Sequence, residues 1–159
     1  MTNPTAGTAS APTLSRSKAW LVAIRPATLP AAVGPVLVGL AVAISLGVFE
    51  PLPALAALAV ALLLQIASNV GNDLSDFRSG VDTAERLGPP RAAASGLLSE
   101  RELLVGLGVI VGLAGLVGLY LVSVGGLVIL LLGIAAVVSA VTYSGGPWPY
   151  GYHGLGEVF

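Results

Sequence analysis

The residues of this sequence best equipped for chemistry stand in one short stretch, NVGNDLSDFRSGVDTAER, Asn69 to Arg86, which holds three aspartates, one glutamate and two arginines. It follows directly on the apolar run Leu52 to Ala67. On a helix, Gln65, Asn69, Asn72 and Asp76 are spaced by four, three and four residues and share one narrow face, with Asp73 just beside it. Amide and carboxylate oxygens a turn or two apart suit a hard cation such as magnesium, which keeps several waters and takes one or two carboxylates together with substrate phosphate oxygens. A phosphorylated substrate is the chemistry this suggests. The C-terminal end of a helix favours a cation over a bare anion, so a metal would mediate the phosphate contact.

Around this group stand residues with two readings each. Arg78, Arg86 and Arg91 offer the planar donor fork that clamps phosphate oxygens, yet arginines also collect on the cytoplasmic side of membrane proteins for topological reasons. Arg25 is either a substrate-facing group or a headgroup anchor. Tyr143, at the end of an apolar segment, could stabilise a nearby cation with its ring or serve as an interfacial anchor. His153 has no partner histidine or cysteine near it, and a metal or triad role is not expected of it. With no cysteine in the chain, thiolate chemistry, disulfides and Cys-ligated zinc are excluded.

The elements that must position these groups are membrane elements. Of the 159 residues, 55% are hydrophobic and only 9% charged, and the mean hydropathy is +0.93, far above that of ordinary soluble domains. Four apolar segments stand out, Ala27 to Phe49, Leu52 to Gly71, Leu103 to Val122 and Val124 to Tyr143, each near the ~20 residues that cross a bilayer core. The fold expected is an all-α polytopic membrane helix bundle with about four transmembrane helices. Residues 1–15, rich in Thr, Ala, Ser and Pro without an apolar core, read as a disordered tail rather than a cleavable signal.

Orientation follows from the basic residues. Arg16, Lys18 and Arg25 precede the first segment, and Arg78, Arg86, Arg91 and Arg101 flank the connection between the second and third, so both regions are expected on the cytoplasmic side. The turns around Glu50 to Pro53 and Ser123 to Gly126 carry no basic residue and are expected outside. Tyr143 to Gly156, with five glycines and two prolines, reads as a further cytoplasmic loop. The spacing of Gly39, Ala43 and Gly47, and of Gly108, Gly112, Gly115 and Gly118, predicts small faces at which helix backbones approach closely. Gly106-Leu107-Gly108 is not a nucleotide fingerprint, because no strand precedes it and the third glycine is misplaced.

A polar stripe against lipid is expensive and should face a protein interior or a water-filled cavity. The same stripe is also compatible with a helix that simply ends at headgroup level, or with a permeation path in a small transporter or channel subunit. Spacing alone leaves these open.

Four blocks occur in order along the chain: IRPATLPAAVGPVLVG, NDLSDFRSGVD, ERLGPPRAAASGLLS and YSGGPWPYGYHGLGEVF. Together they resemble the N-terminal half of the menaquinone-biosynthesis branch of the UbiA superfamily of membrane prenyltransferases, which acts on 1,4-dihydroxy-2-naphthoate. The resemblance implies a magnesium-dependent enzyme that binds a polyprenyl diphosphate and an aromatic acceptor in one membrane cavity, giving demethylmenaquinone. By that resemblance Asn72 and Asp76 match the first aspartate motif, Asp73 and Asp82 are further candidate ligands, and Gly80 with Asp82 supplies the G-x-D variant. Asn69, Asn72, Arg25, Arg78 and Arg91 become candidate substrate-binding residues, and Asp76 and Tyr143 candidate catalytic ones. Arg91 is favoured among the arginines because it lies within the family-like GPPR sequence. Sister transferases acting on 4-hydroxybenzoate or homogentisate are the alternatives within the family. Because the superfamily's second aspartate-rich motif belongs to its C-terminal half, residues 16–159 are expected to be a partial domain that needs that half to complete its cavity.

Overall fold

A computed structural model of the chain describes residues 14–80 and 91–144. These form four helices: α1, Arg16–Ile24; α2, Leu29–Ser45; α3, Pro51–Ser79; and α4, Glu100–Ser144. A short 3-10 turn, Pro26–Thr28, joins α1 to α2. The described residues contain no strand, in agreement with the all-α expectation. The tail expected over 1–15 lies, up to residue 13, outside the described residues, as do Asp82, Arg86 and, from residue 145 on, the loop expected over Tyr143 to Gly156, whose first two residues end α4 instead.

Proline and glycine set the boundaries. Arg25 stands in the left-handed region at φ 53°, where Pro26 behind it disfavours continuation of the helix. α2 carries Pro30 in its first turn and Pro35 inside, and the latter gives up one helical hydrogen bond. α3 begins on Pro51, whose missing N–H costs nothing at a helix start. It ends at Gly80, φ 66°, whose N–H donates to the carbonyls of Asp76 and Phe77. At the start of α4 the Ser99 hydroxyl accepts from Glu102 N–H at 3.3 Å, and the Glu102 carboxylate accepts from Ser99 N–H at 2.9 Å. This reciprocal box fixes where α4 begins.

Among the described residues three stretches are long and apolar enough to cross a membrane, Arg16–Ser45, Pro51–Ser79 and Glu100–Ser139, where about four had been expected. The expected third and fourth segments meet at a break in α4: Gly126, within the expected Ser123–Gly126 turn, is non-helical at φ 68° and ψ −153°, so this stretch is two helical arms joined across a kink. At about 1.5 Å per residue, the 45 residues of α4 would, if straight, run more than twice the thickness of a bilayer core. Residues on both sides of the break, among them Val111, Gly118, Gly133 and Val137, line one apolar cavity of about 530 Å³ with Val60 and Leu64 of α3.

Among the described residues the glycines expected at close helix contacts have open space beside them. A Cβ placed at Gly39, Gly108, Gly112, Gly115 or Gly118 would meet nothing within 4 Å. Tight approaches occur at Gly106, against which the Trp20 ring of α1 lies so closely that a Cβ there would overlap it, and at Gly125, where a Cβ would overlap the Ile129 side chain. A glycine spacing marks room for a backbone, but a partner must still be brought to it.

α3 packs against α1, α2 and α4. The buried core lies where α1, the second half of α3, the segment 91–98 and the start of α4 meet. It is built of Ala19, Ala23, Val70, Ala92, Ala93, Leu98 and Leu103, with Trp20, Ile66 and Leu107 against it. Elsewhere α2 and α4 expose leucine and valine freely, Val38 at 67% and Leu116 at 67% among them.

Candidate functional site

The second half of α3 turns polar side chains into this core. Asn69, Asp73 and Asp76 are all buried, while Gln65 and Asn72 are half-buried. The buried face is therefore centred on Asp73, not on the line from Gln65 through Asn72, and Asp73 is the deepest of the group at 0% exposure. A helical wheel cannot decide this, because Asn72 and Asp73 flank the same line at opposite edges and tertiary packing picks the edge.

Asn69 acts on the corner between α1 and α2. Its amide nitrogen donates to the Ile24 carbonyl at 2.8 Å and to the Thr28 hydroxyl oxygen at 2.8 Å. The Thr28 hydroxyl in turn donates to the Arg25 carbonyl at 2.9 Å. The Ile24 carbonyl, left over at the end of α1, thus gains a partner, and Arg25 is held in a left-handed conformation that costs a side-chain-bearing residue on the order of 1–2 kcal/mol. Thr28, a member of this network, had not been singled out from the sequence; the proline on each side of Ala27–Leu29 was the signal that a fixed corner lay there.

Asp73 acts on the segment after the connection. Its carboxylate accepts from Ala92 N–H at 2.9 Å and Ala93 N–H at 3.4 Å. Those amides open a compact turn closed by Ser95 N–H on the Arg91 carbonyl, at 3.0 Å, and by Leu97 N–H on the Ala92 carbonyl, at 2.9 Å. A carboxylate from another helix here does the work of an N-cap. No local spacing in the sequence announces it.

Asp76, one turn further along α3, forms an ion pair with Arg91, and the two side chains are 9% and 8% exposed. A buried pair of this kind persists only when its charges are well matched, since removing either leaves a charge out of water. Arg91 is thus the arginine brought into the group. Arg78 is not: it pairs with Glu100 in the first turn of α4 at 2.6 Å, with both side chains about half exposed. Arg16 likewise pairs with Glu102 at the surface. Arg25 lies at the α1–α2 corner, half-buried. Tyr143 lies in the last turn of α4, and its side chain, like Asp82, is outside the described residues.

The arrangement places two acidic side chains, two amides and one guanidinium at one end of a bundle whose other end is apolar. Among the described residues no three acidic or histidine side chains gather into a group able to hold a metal by themselves. Oxygen donors of Asn72 and Asp76 with a neighbouring guanidinium suit an anion-bearing ligand that brings further oxygens of its own.

Comparison with known proteins gives the same direction. The sequence pattern of the UbiA prenyltransferase family matches residues 32–159. The chain is 42% identical to 1,4-dihydroxy-2-naphthoate octaprenyltransferase of Escherichia coli (strain K12), over 91% of this chain and 49% of the relative. It is 38% identical to the protein of that name from Haemophilus influenzae, over 89% of this chain and 48% of the relative. A third, from Mycobacterium tuberculosis, is 38% identical over 87% of this chain and 47% of its own length. The chain spans about half the length of the curated relatives it matches. No solved structure matches it significantly.

Proposed function

The chain belongs to the UbiA prenyltransferase family, and from that premise we propose that the protein, over the full length of its relatives, is a multi-pass membrane prenyltransferase. It moves a polyprenyl group from its diphosphate to 1,4-dihydroxy-2-naphthoate, with loss of the carboxylate as carbon dioxide, giving demethylmenaquinol. The observation that carries this reading is the buried Asp76–Arg91 pair, built from the aspartate motif of α3 and the GPPR segment. The choice of acceptor is supported by the names of the relatives.

Arg91 contributes a fixed fork of donors that matches diphosphate oxygens. Asp76 and Asn72 fit magnesium as oxygen donors, since that ion uses one or two carboxylates and completes its shell with phosphate oxygens and water. Asp73 fits less well, because its oxygens already accept from Ala92 and Ala93. The chemistry magnesium supplies when bound is neutralisation of the charge that develops on the leaving diphosphate. In the reaction the allylic C–O bond breaks with its electron pair going to the diphosphate, and the ring carbon that bears the carboxylate forms the new C–C bond. The carboxylate then leaves as carbon dioxide, its bond electrons restoring the aromatic ring; the product is the quinol form, demethylmenaquinol, and the quinone follows only on a separate two-electron oxidation.

An apolar cavity such as that between α3 and the two parts of α4 accommodates a hydrocarbon tail and keeps water from the allylic cation. In the cell membrane, the end of the bundle that carries Arg16, Arg78 and Arg91 faces the cytoplasm, with the N-terminus.

Membranes carrying the whole protein are to be supplied with 1,4-dihydroxy-2-naphthoate, a polyprenyl diphosphate and magnesium. Prenylated naphthoquinol with release of carbon dioxide is the expected product. Product formed only from 4-hydroxybenzoate or homogentisate would reassign the acceptor, and no transfer to any acceptor would overturn the enzyme reading. Undiminished turnover in excess chelator would remove magnesium from it.

A further inference from the structure

We propose that Asp73 is a positioning residue: its carboxylate holds the main chain at Ala92 and Ala93 so that the adjoining Arg91 guanidinium reaches Asp76. The inference rests on the transferase reading above, and it takes Asp73 out of the group that meets metal or substrate.

Asp73 is fully buried, and so is Ala92, with Ala93 at 5% exposure. The carboxylate oxygens face the two amides that open the 91–98 turn, at 2.9 and 3.4 Å. At 0% exposure Asp73 presents no open side to a metal, and a metal that pulled its oxygens away would leave two N–H groups in a buried place, each at a cost of about 1–3 kcal/mol. Asp76 lies three residues on, hence on the same side of α3, and takes the side chain of the residue just before those amides. α3 therefore grips this segment twice in one turn, once by the main chain through Asp73 and once by the guanidinium through Asp76.

The main-chain grip matters because an arginine side chain loses about 2 kcal/mol of rotamer entropy when it is fixed. Holding its backbone first removes the larger part of the search. When Arg91 turns to a diphosphate, the Asp73 grip keeps its Cα in place. Diphosphate affinity thus depends on a carboxylate that does not touch the diphosphate.

The test compares wild type, Asp73→Asn, which keeps one acceptor oxygen, and Asp73→Ala, which keeps none, in the whole protein. Hydrogen exchange at the Ala92 and Ala93 amides is expected to quicken in both variants and to stay at the wild-type rate in an Arg78→Ala control. The KM for polyprenyl diphosphate is expected to rise about 10- to 100-fold, the effect of losing a hydrogen bond to a charged acceptor, with kcat changed less than about threefold. The half-saturating magnesium concentration is expected to stay where it was, and in an Arg91→Ala background the Asp73→Asn change should add no further rise in KM.

Unchanged exchange at both amides in Asp73→Asn would overturn the proposal. So would a shifted magnesium requirement, which a metal ligand would give, or losses that multiply with Arg91→Ala. Because exchange is read without turnover, a wild-type protein that transfers nothing would sink the transferase reading, and the positioning role with it, while the main-chain grip would still be decided by exchange.

Discussion

Asp76 and Arg91 are joined in a buried ion pair between the end of α3 and the segment that leads to α4, with less than a tenth of either side chain exposed. The pair links two blocks fifteen positions apart (Asp76 to Arg91) and is the point at which the polar face of α3 meets the GPPR sequence.

Truncating one partner should lower stability more than removing both, while the variants stay folded at the assay temperature. Asp76→Ala and Arg91→Ala are each expected to cost about 3–5 kcal/mol, because a buried charge is left unmatched, while Asp76→Leu with Arg91→Met should recover most of that stability and no transfer. Arg78→Ala, which breaks a half-exposed pair with Glu100, should cost under about 1 kcal/mol and leave transfer near wild type. Thermal unfolding in detergent, beside the transfer assay in membranes, checks both halves; equal losses for Arg78→Ala and Arg91→Ala would mean that burial is not what separates them.

The Trp20 ring covers Gly106, so adding a single methyl group there should push α1 away. Gly106→Ala is expected to lose about 1–3 kcal/mol by overpacking, offset in part by the roughly 1 kcal/mol that alanine gains over glycine within a helix. In a Trp20→Ala background the same change should become stabilising, since only the helix preference remains. The sign of the change in melting temperature, read in the two backgrounds, decides the matter; the same sign in both would disprove the contact.

Glycines of α4 should differ by backbone geometry rather than by spacing. At Gly126 the dihedrals lie in a region open to glycine almost alone, and Gly126→Ala is expected to cost about 1–3 kcal/mol. At Gly112, helical and with nothing within 4 Å of a Cβ, alanine should be neutral or stabilising by up to about 1 kcal/mol. Melting temperatures of the two variants give the comparison, and a larger loss at Gly112 would show that its open side is occupied in the membrane by another helix.

By itself the sequence determined the helical class, the membrane setting and the helix on which the polar residues gather. Long apolar runs, a few charges kept between them, and punctuation by proline and glycine are local properties, and bilayer thickness converts them into helices without reference to any partner. The polar stripe of α3 was legible for the same reason, since residue type and helical spacing are both written in the chain, whereas its reading as an aspartate motif came from the resemblance. Only the tertiary structure decided what each polar group does. It turned Asp73 inward onto two amides and left Asn72 at the rim; it used Asn69 to secure the α1–α2 corner, and it chose Arg91 over Arg78 as the partner of Asp76. It also set the break between the two arms of α4 at Gly126, and laid the Trp20 ring over Gly106. Each of these depends on which segments approach in space, and a buried group takes the partner that packing brings within hydrogen-bond reach, whatever its neighbours in sequence would suggest.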